Sequence, residues 1–136
     1  MRYLLDSNAF IDVLSARRPE VTRRFVALRP EEVVLSSIVV AELRFGADKS
    51  DRRQSNHARL DRLLEEVTPL DFDLAAAAKY GRIRARLQAL GTTIGPNDLL
   101  IAAHALALGA VLVTDNVREF VRVKGLTIEN WRSALP

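Results

Sequence analysis

Four carboxylates stand where an α/β chain could use them together. Asp6 follows the apolar run Tyr3-Leu4-Leu5, and Asp115 follows a buried run over 110–114. In open parallel sheets, ligands gather beyond the carboxyl ends of the strands, and right-handed crossovers bring such ends to one rim. Asp98 joins that rim if the helix it opens packs beside the same strands. Helix capping and the helix dipole would account for any one of these aspartates alone. Glu42 is different, because Ile38, Glu42 and Phe45 follow the i, i+4, i+7 spacing of one apolar helix stripe. An unpaired carboxylate there costs several kcal/mol. No base lies one turn earlier, and Arg44, two residues on, faces elsewhere. Carboxylates that meet cannot all stay ionised near neutral pH unless a metal or a basic group balances them. With no cysteine and only His57 and His104 as imidazoles, the donor set selects a hard cation, Mg²⁺ or Mn²⁺, over zinc. His104 lies inside the most apolar helix and reads as a neutral core histidine, and His57 reads as plain surface.

These acids need a scaffold. The pattern predicts a strand ending at Asp6-Ser7-Asn8, a helix carrying Phe10, Ile11, Val13 and Leu14, and a second helix opened by Pro19. Residues 33–36 form a second buried strand, with Ser37 capping a helix over 38–47 and Ser50 capping a polar helix that runs to about 66. A weak strand over 67–70 precedes a helix over 74–90, capped by Asp73 and ended by Gly91. Asn97 caps a helix that is apolar on every face and therefore central, and Gly109 ends it. A buried strand over 110–114, a short helix over 115–120 and an edge strand over 126–128 complete the pattern. Helices alternating with short β-branched runs imply a three-layer α/β/α domain around a mostly parallel sheet.

The 136 residues suit one domain spanning 1–136, and 49% hydrophobic with 27% charged residues is a globular composition. Zero cysteines exclude a disulfide framework, thiolate metal sites and cysteine nucleophiles. The apolar stretch 99–113 is too short for a membrane span. With Asp6 so near the first residue no signal peptide is expected, which makes a cytoplasmic protein the default expectation. Of the 20 basic residues, 17 are Arg, whose planar fork suits phosphate. Setting the four acids aside leaves 13 acidic residues against 20 basic ones, an exterior suited to a polyanion. Arg82, Arg84 and Arg86 are the candidate contacts to a nucleic-acid backbone, weighed against an ordinary solvated helix face. Five Phe, two Tyr and one Trp give no evident platform for stacking bases, which favours recognition through backbone and shape.

Four ordered motifs carry a resemblance. Leu5-Asp6-Ser7-Asn8, then Ser36-Ser37-Ile38 with Ala41-Glu42-Leu43 and Gly46, then Gly95-Pro96-Asn97-Asp98 before Ile101-Ala102, and Val113-Thr114-Asp115-Asn116 with Arg118-Glu119-Phe120 resemble the PIN-domain ribonucleases. More closely they resemble the VapC toxins of bacterial toxin–antitoxin pairs, in order and spacing from Tyr3 to Trp131. The resemblance implies a Mg²⁺-dependent endoribonuclease that activates water rather than a protein nucleophile. Asp6, Glu42 and Asp98 match the family's firmest acids, with Asp6 and Asp98 as direct ligands. The family's fourth acid usually stands where this chain has Asn116, one residue after Asp115. Asp115 is therefore open between a ligand, a water-mediated neighbour and a helix cap. Ser7, Asn8 and Thr114 match motif positions that orient acids or waters. The resemblance further implies a small VapB-like antitoxin that blocks the acidic pocket, DNA contact only through that antitoxin, a homodimer, and transfer RNA as substrate.

Two rival readings come from other classes. An Asp-dependent phosphatase using Asp6 as nucleophile would want an acid at position 8, where Asn8 stands, and a nearby catalytic Lys. A non-catalytic RNA- or protein-binding module would keep the fold without the metal, and metal-dependent cleavage separates it from an enzyme.

Overall fold

A computed structural model of the chain describes residues 1–133. The described elements, in order, are β1 (Tyr3–Leu5), α1 (Ser7–Ser15), α2 (Pro19–Val26), β2 (Val33–Ser36) and α3 (Ser37–Lys49). They continue with α4 (Arg53–Glu66), β3 (Pro69–Leu70), α5 (Leu74–Leu90), α6 (Pro96–Leu108), β4 (Val111–Val113), α7 (Val117–Phe120) and β5 (Ile128–Glu129). The strands form one sheet in the order β3-β2-β1-β4-β5, and every pairing is parallel. The expected mostly parallel sheet is thus parallel throughout, within an α/β/α architecture.

β1 occupies the centre because its residues can be buried on both faces. Leu4 and Leu5 are fully buried, with Tyr3 and Leu4 in register with Val33 and Val34 on one side and with Val111 and Leu112 on the other. Chain order reverses across β1, since β2 lies to one side and β4 to the other. That reversal is the topological switch point at which open α/β sheets leave a crevice. The core runs from these strands into Phe10 of α1, Val39 of α3, Leu87 of α5, Ile101 of α6 and Phe120 of α7.

Most helix boundaries follow the sequence signals. Asp73 Oδ1 accepts from the Ala76 amide at 3.0 Å, and Gly91 (φ 68°) and Gly109 (φ 63°) take the left-handed conformation that ends α5 and α6. Three expected caps are corrected. Ser36, not Ser37, caps α3, its Oγ accepting from the Ile38 amide at 3.1 Å, while Ser37 Oγ accepts from the Phe72 amide. Ser50 belongs to the end of α3, donating to the Ala47 carbonyl, and α4 starts after Arg52 without a side-chain cap. Asn97 lies inside the first turn of α6, because Pro96, whose fixed φ suits the first helical position, starts that helix earlier. The edge strands are shorter than expected or displaced, with β3 at 69–70 and β5 at 128–129. None of the described helices is long and apolar enough to cross a membrane.

Candidate active site

The carboxyl ends of β1, β2 and β4 lie side by side and lead directly into the residues singled out above. Asp6 is the hinge between β1 and α1. Its amide donates to the Val113 carbonyl of β4, and its Oδ1 accepts from the Ala9 amide at 2.9 Å, capping α1. Only 7% of Asp6 is exposed. Burial pushes its carboxyl above the ordinary value, opposed by hydrogen bonds from the Thr114 side chain and the Ala9 amide. The charges of Asp115 and Glu42 push it further up. Thr114 is itself buried at the end of β4, and its Oγ1 also accepts from the Asn116 amide.

Glu42 reaches the same rim from α3. The Ser7 hydroxyl donates to its Oε1, and Asn97 Nδ2 donates to its Oε2 at 3.2 Å. Neither partner neutralises the charge. Arg44 is turned away, with its guanidinium 2.7 Å from Asp61 and 2.8 Å from His57 Nδ1. His57 therefore belongs to a polar bridge with Arg44 and Asp48 between α3 and α4, rather than to plain surface. Asp98, in the first turn of α6, has its carboxyl raised to about 7. Burial is the leading cause, followed by a carboxyl–carboxyl hydrogen bond with Glu119 and by the charges of Glu119, Glu42 and Asp6.

Glu119 is the residue that the sequence reading left without a role. It sits on α7 one turn beyond Asp115, and Asn116 Nδ2 holds its Oε2 at 2.8 Å. The signal was its place in the motif following Thr114, one helical turn from Asn116. Asp115 goes the other way. Its Oδ2 accepts from Arg132 Nη1 at 2.7 Å, and the same guanidinium binds the nearly buried Asp12 through Nε and Nη2 at 2.7 and 3.0 Å. Asp115 is thus near the cluster and engaged by a cation. Asn8 is exposed and makes no side-chain hydrogen bond among the described residues.

No Lys or Arg among the described residues forms an ion pair with Asp6, Glu42, Asp98 or Glu119. As they stand, no three His, Cys, Asp or Glu side chains among those residues enclose a metal position. Glu42, Gly95, Pro96, Asn97 and Asp98 line an open recess of about 290 Å³. Beside it, α1, α3 and α4 enclose a second, mostly apolar cleft, which starts at Ser7 and Glu42 and includes Ile11, Leu14, Leu43 and Leu60. Ile11, Val26 and Phe45 are exposed at 47%, 70% and 67%, whereas Phe10 is core.

His104 is confirmed as a core residue. Its Nδ1 is 2.8 Å from Ser36 Oγ, and burial lowers its pKa against the opposing pull of Asp73 and of the Asp71 backbone. Of the candidate RNA contacts, Arg82 and Arg86 line a groove beside α5, while Arg84 turns onto Tyr80, 3.1 Å from its hydroxyl.

The chain matches the PIN domain family model over residues 3–126. It is 43% identical over 131 residues to Ribonuclease VapC2 of Haemophilus influenzae, covering 96% of this chain and 98% of that protein. It is 38% identical, with the same coverage, to the tRNA(fMet)-specific endonuclease VapC of Shigella flexneri. The crystal structure of VapBC2 from Rickettsia felis bound to a promoter DNA fragment superposes with a TM-score of 0.88 at 37% identity, covering 96% of this chain and 99% of that one. With the acids at the switch point and these relatives matched almost end to end, the chain belongs to the PIN domain family and, within it, to the VapC ribonucleases.

Proposed function

We propose that the protein is a metal-dependent endoribonuclease that hydrolyses phosphodiester bonds of transfer RNA and acts as the toxin of a toxin–antitoxin pair. One observation carries the reading: Asp6, Glu42, Asp98 and Glu119 are gathered at one rim without a basic partner, and burial with mutual repulsion raises Asp6 and Asp98. Oxygen donors under that repulsion fit a hard divalent cation, Mg²⁺ or Mn²⁺. Side-chain rotation is required, since the carboxylates do not yet close on a common point.

When bound, such a cation polarises the scissile phosphate and lowers the pKa of a water, so that no protein nucleophile is needed. The chain supplies the rest. Asp6 and Asp98 serve as direct ligands, Asp6 fixed by the cap of α1 and Asp98 by the first turn of α6. Ser7 and Asn97 orient Glu42, and Asn116 orients Glu119. Thr114 holds Asp6 from the end of β4. Asp115, held by Arg132, acts from the periphery. Asn8 in place of a second acid, and no Lys paired with Asp6 among the described residues, disfavour the phosphatase alternative.

The relatives' names support the ribonuclease activity and the transfer RNA assignment. The Rickettsia complex, a toxin with its antitoxin on promoter DNA, supports a cognate antitoxin as partner and DNA contact through it. The apolar cleft beginning at Glu42 offers such a partner a bed that ends at the acids. A homodimer is part of the same proposal.

The test is cleavage of total RNA and of individual transfer RNAs in EDTA, Mg²⁺ and Mn²⁺, with 5′ ends mapped after brief expression in cells. Discrete cleavage that needs metal and disappears in Asp6→Asn and Asp98→Asn is expected. Equal cleavage in EDTA, or none with either metal, sinks the reading.

A further inference from the structure

On the flank of α5, Lys79, Arg82 and Arg86 face Arg122 and Lys124, which follow α7, across a groove of about 200 Å³. Ile83, Leu87, Leu106 and Val123 form its floor. No acidic residue lines it, and none of its five cations forms an ion pair with an acid among the described residues. The one side-chain hydrogen bond these five make among those residues is from Arg122 Nη1 to the Thr93 carbonyl at 2.9 Å.

Like charges gathered in one groove repel unless an anion offsets them, whereas several arginines elsewhere have an acid beside them. Arg44 has Asp61, Arg53 has Asp48, and Arg132 has both Asp12 and Asp115. The apolar floor supports the stems of long side chains and leaves their heads to project. The groove is also joined to the acidic cluster. Arg122 lies one turn after Glu119, and the Thr93 carbonyl that anchors it belongs to the loop leading to Asp98.

We propose that this groove is a phosphate track that binds the RNA backbone flanking the cut, with Lys79, Arg82, Arg86, Arg122 and Lys124 as its contacts. The inference rests on the ribonuclease reading and extends it, assigning substrate affinity to a face separate from the metal-binding acids. Arg84, on the same helix but held by Tyr80, lies outside the track.

The experiment compares the wild type with the double variant Arg82→Gln/Arg86→Gln and with Arg84→Gln. Binding of a fluorescent transfer RNA transcript is measured in EDTA across a salt series. Cleavage of the transcript and of a trinucleotide is measured in Mg²⁺. Removing two phosphate contacts should make the slope of log K against log salt shallower by about 1.4 to 1.8 and weaken binding about tenfold or more at 0.1 M salt. The KM for the transcript should rise accordingly. Trinucleotide cleavage and the Arg84→Gln protein should match wild type. An unchanged salt slope and KM in a double variant that still cleaves overturns the track and leaves the ribonuclease reading intact. Wild type that cuts no RNA in any metal overturns the underlying reading instead. Unchanged RNA binding together with loss of a pyrophosphate-induced Tm shift assigns the groove to small free anions and also overturns the proposal.

Discussion

Replacing Asp98 by Asn should make the metal-free protein more stable at pH 8 while ending its response to Mg²⁺. The folded carboxyl is raised from 3.8 to about 7 by burial, by its bond to Glu119 and by the charges of Glu119, Glu42 and Asp6. At about 1.4 kcal/mol per tenfold change in proton affinity, the ceiling on this effect is about 4 kcal/mol. Asp98 is only half-buried, so solvent screens part of this effect and brings the expected gain down to about 1–2 kcal/mol. The sign follows from linkage. A carboxyl that holds its proton more tightly when folded favours the fold below its unfolded value, and that advantage is lost as pH rises through about 7. Asparagine keeps the shape and carries no charge. Urea unfolding in EDTA between pH 4 and pH 8 should therefore show wild-type stability falling relative to Asp98→Asn, with the curves meeting at the acid end. Adding Mg²⁺ at pH 8 should stabilise the wild type and leave the variant almost unmoved. A variant no more stable than wild type at pH 8 in EDTA, or equally stabilised by Mg²⁺, refutes the electrostatic account of the cluster.

Asp6→Asn should abolish RNA cleavage with little loss of stability. Asp6→Ala should additionally cost about 1 kcal/mol of unfolding free energy in urea titrations, because the Ala9 amide loses its acceptor. Glu119→Gln should lower the Asp98 carboxyl toward the ordinary carboxylate range, followed by NMR titration in EDTA, and should reduce cleavage in Mg²⁺. Arg132→Met leaves the nearly buried Asp12 with only the longer 4.0 Å contact to Arg18 and frees Asp115, so unfolding measurements should show a loss of about 2 kcal/mol, with most of it recovered in Asp12→Asn/Arg132→Met. His104, kept neutral by burial, favours unfolding as pH falls through the ordinary histidine value of 6.5. His104→Gln should flatten that part of the stability curve.

The sequence disclosed the rim but not the side-chain traffic across it. Asp6 and Glu42 were legible because each breaks a local pattern, one ending an apolar strand and the other interrupting an apolar stripe. The helices over 19–26, 74–90 and 96–108 were legible because Pro19, Asp73, Gly91 and Gly109 act through the local chain. What escaped depends on residues far apart in sequence. Asp12 meets Arg132 only once the two ends of the chain are together, and that meeting also ties Asp115 to a cation. Glu119 of α7 meets Asp98 of α6, a relation that no helical spacing contains. Asn97 looked like a cap because its type suits one, and Pro96 displaced it into the first turn, where it reaches Glu42. The two-residue edge strands carry too little pattern for their bounds to be read.

The central position of β1 has a consequence for synthesis. β1, made before the other strands of this sheet, needs β4, residues 111–113, as one of its two neighbours, and the acids it must meet extend from position 6 to position 119. Such long-range pairing bears its loop-closure entropy before any contact rewards it. A nascent chain short of α7 lacks both a closed sheet and a complete acid cluster. Assembly of the acid cluster therefore waits until α7 has been translated, and products of interrupted translation that end before it lack the cluster.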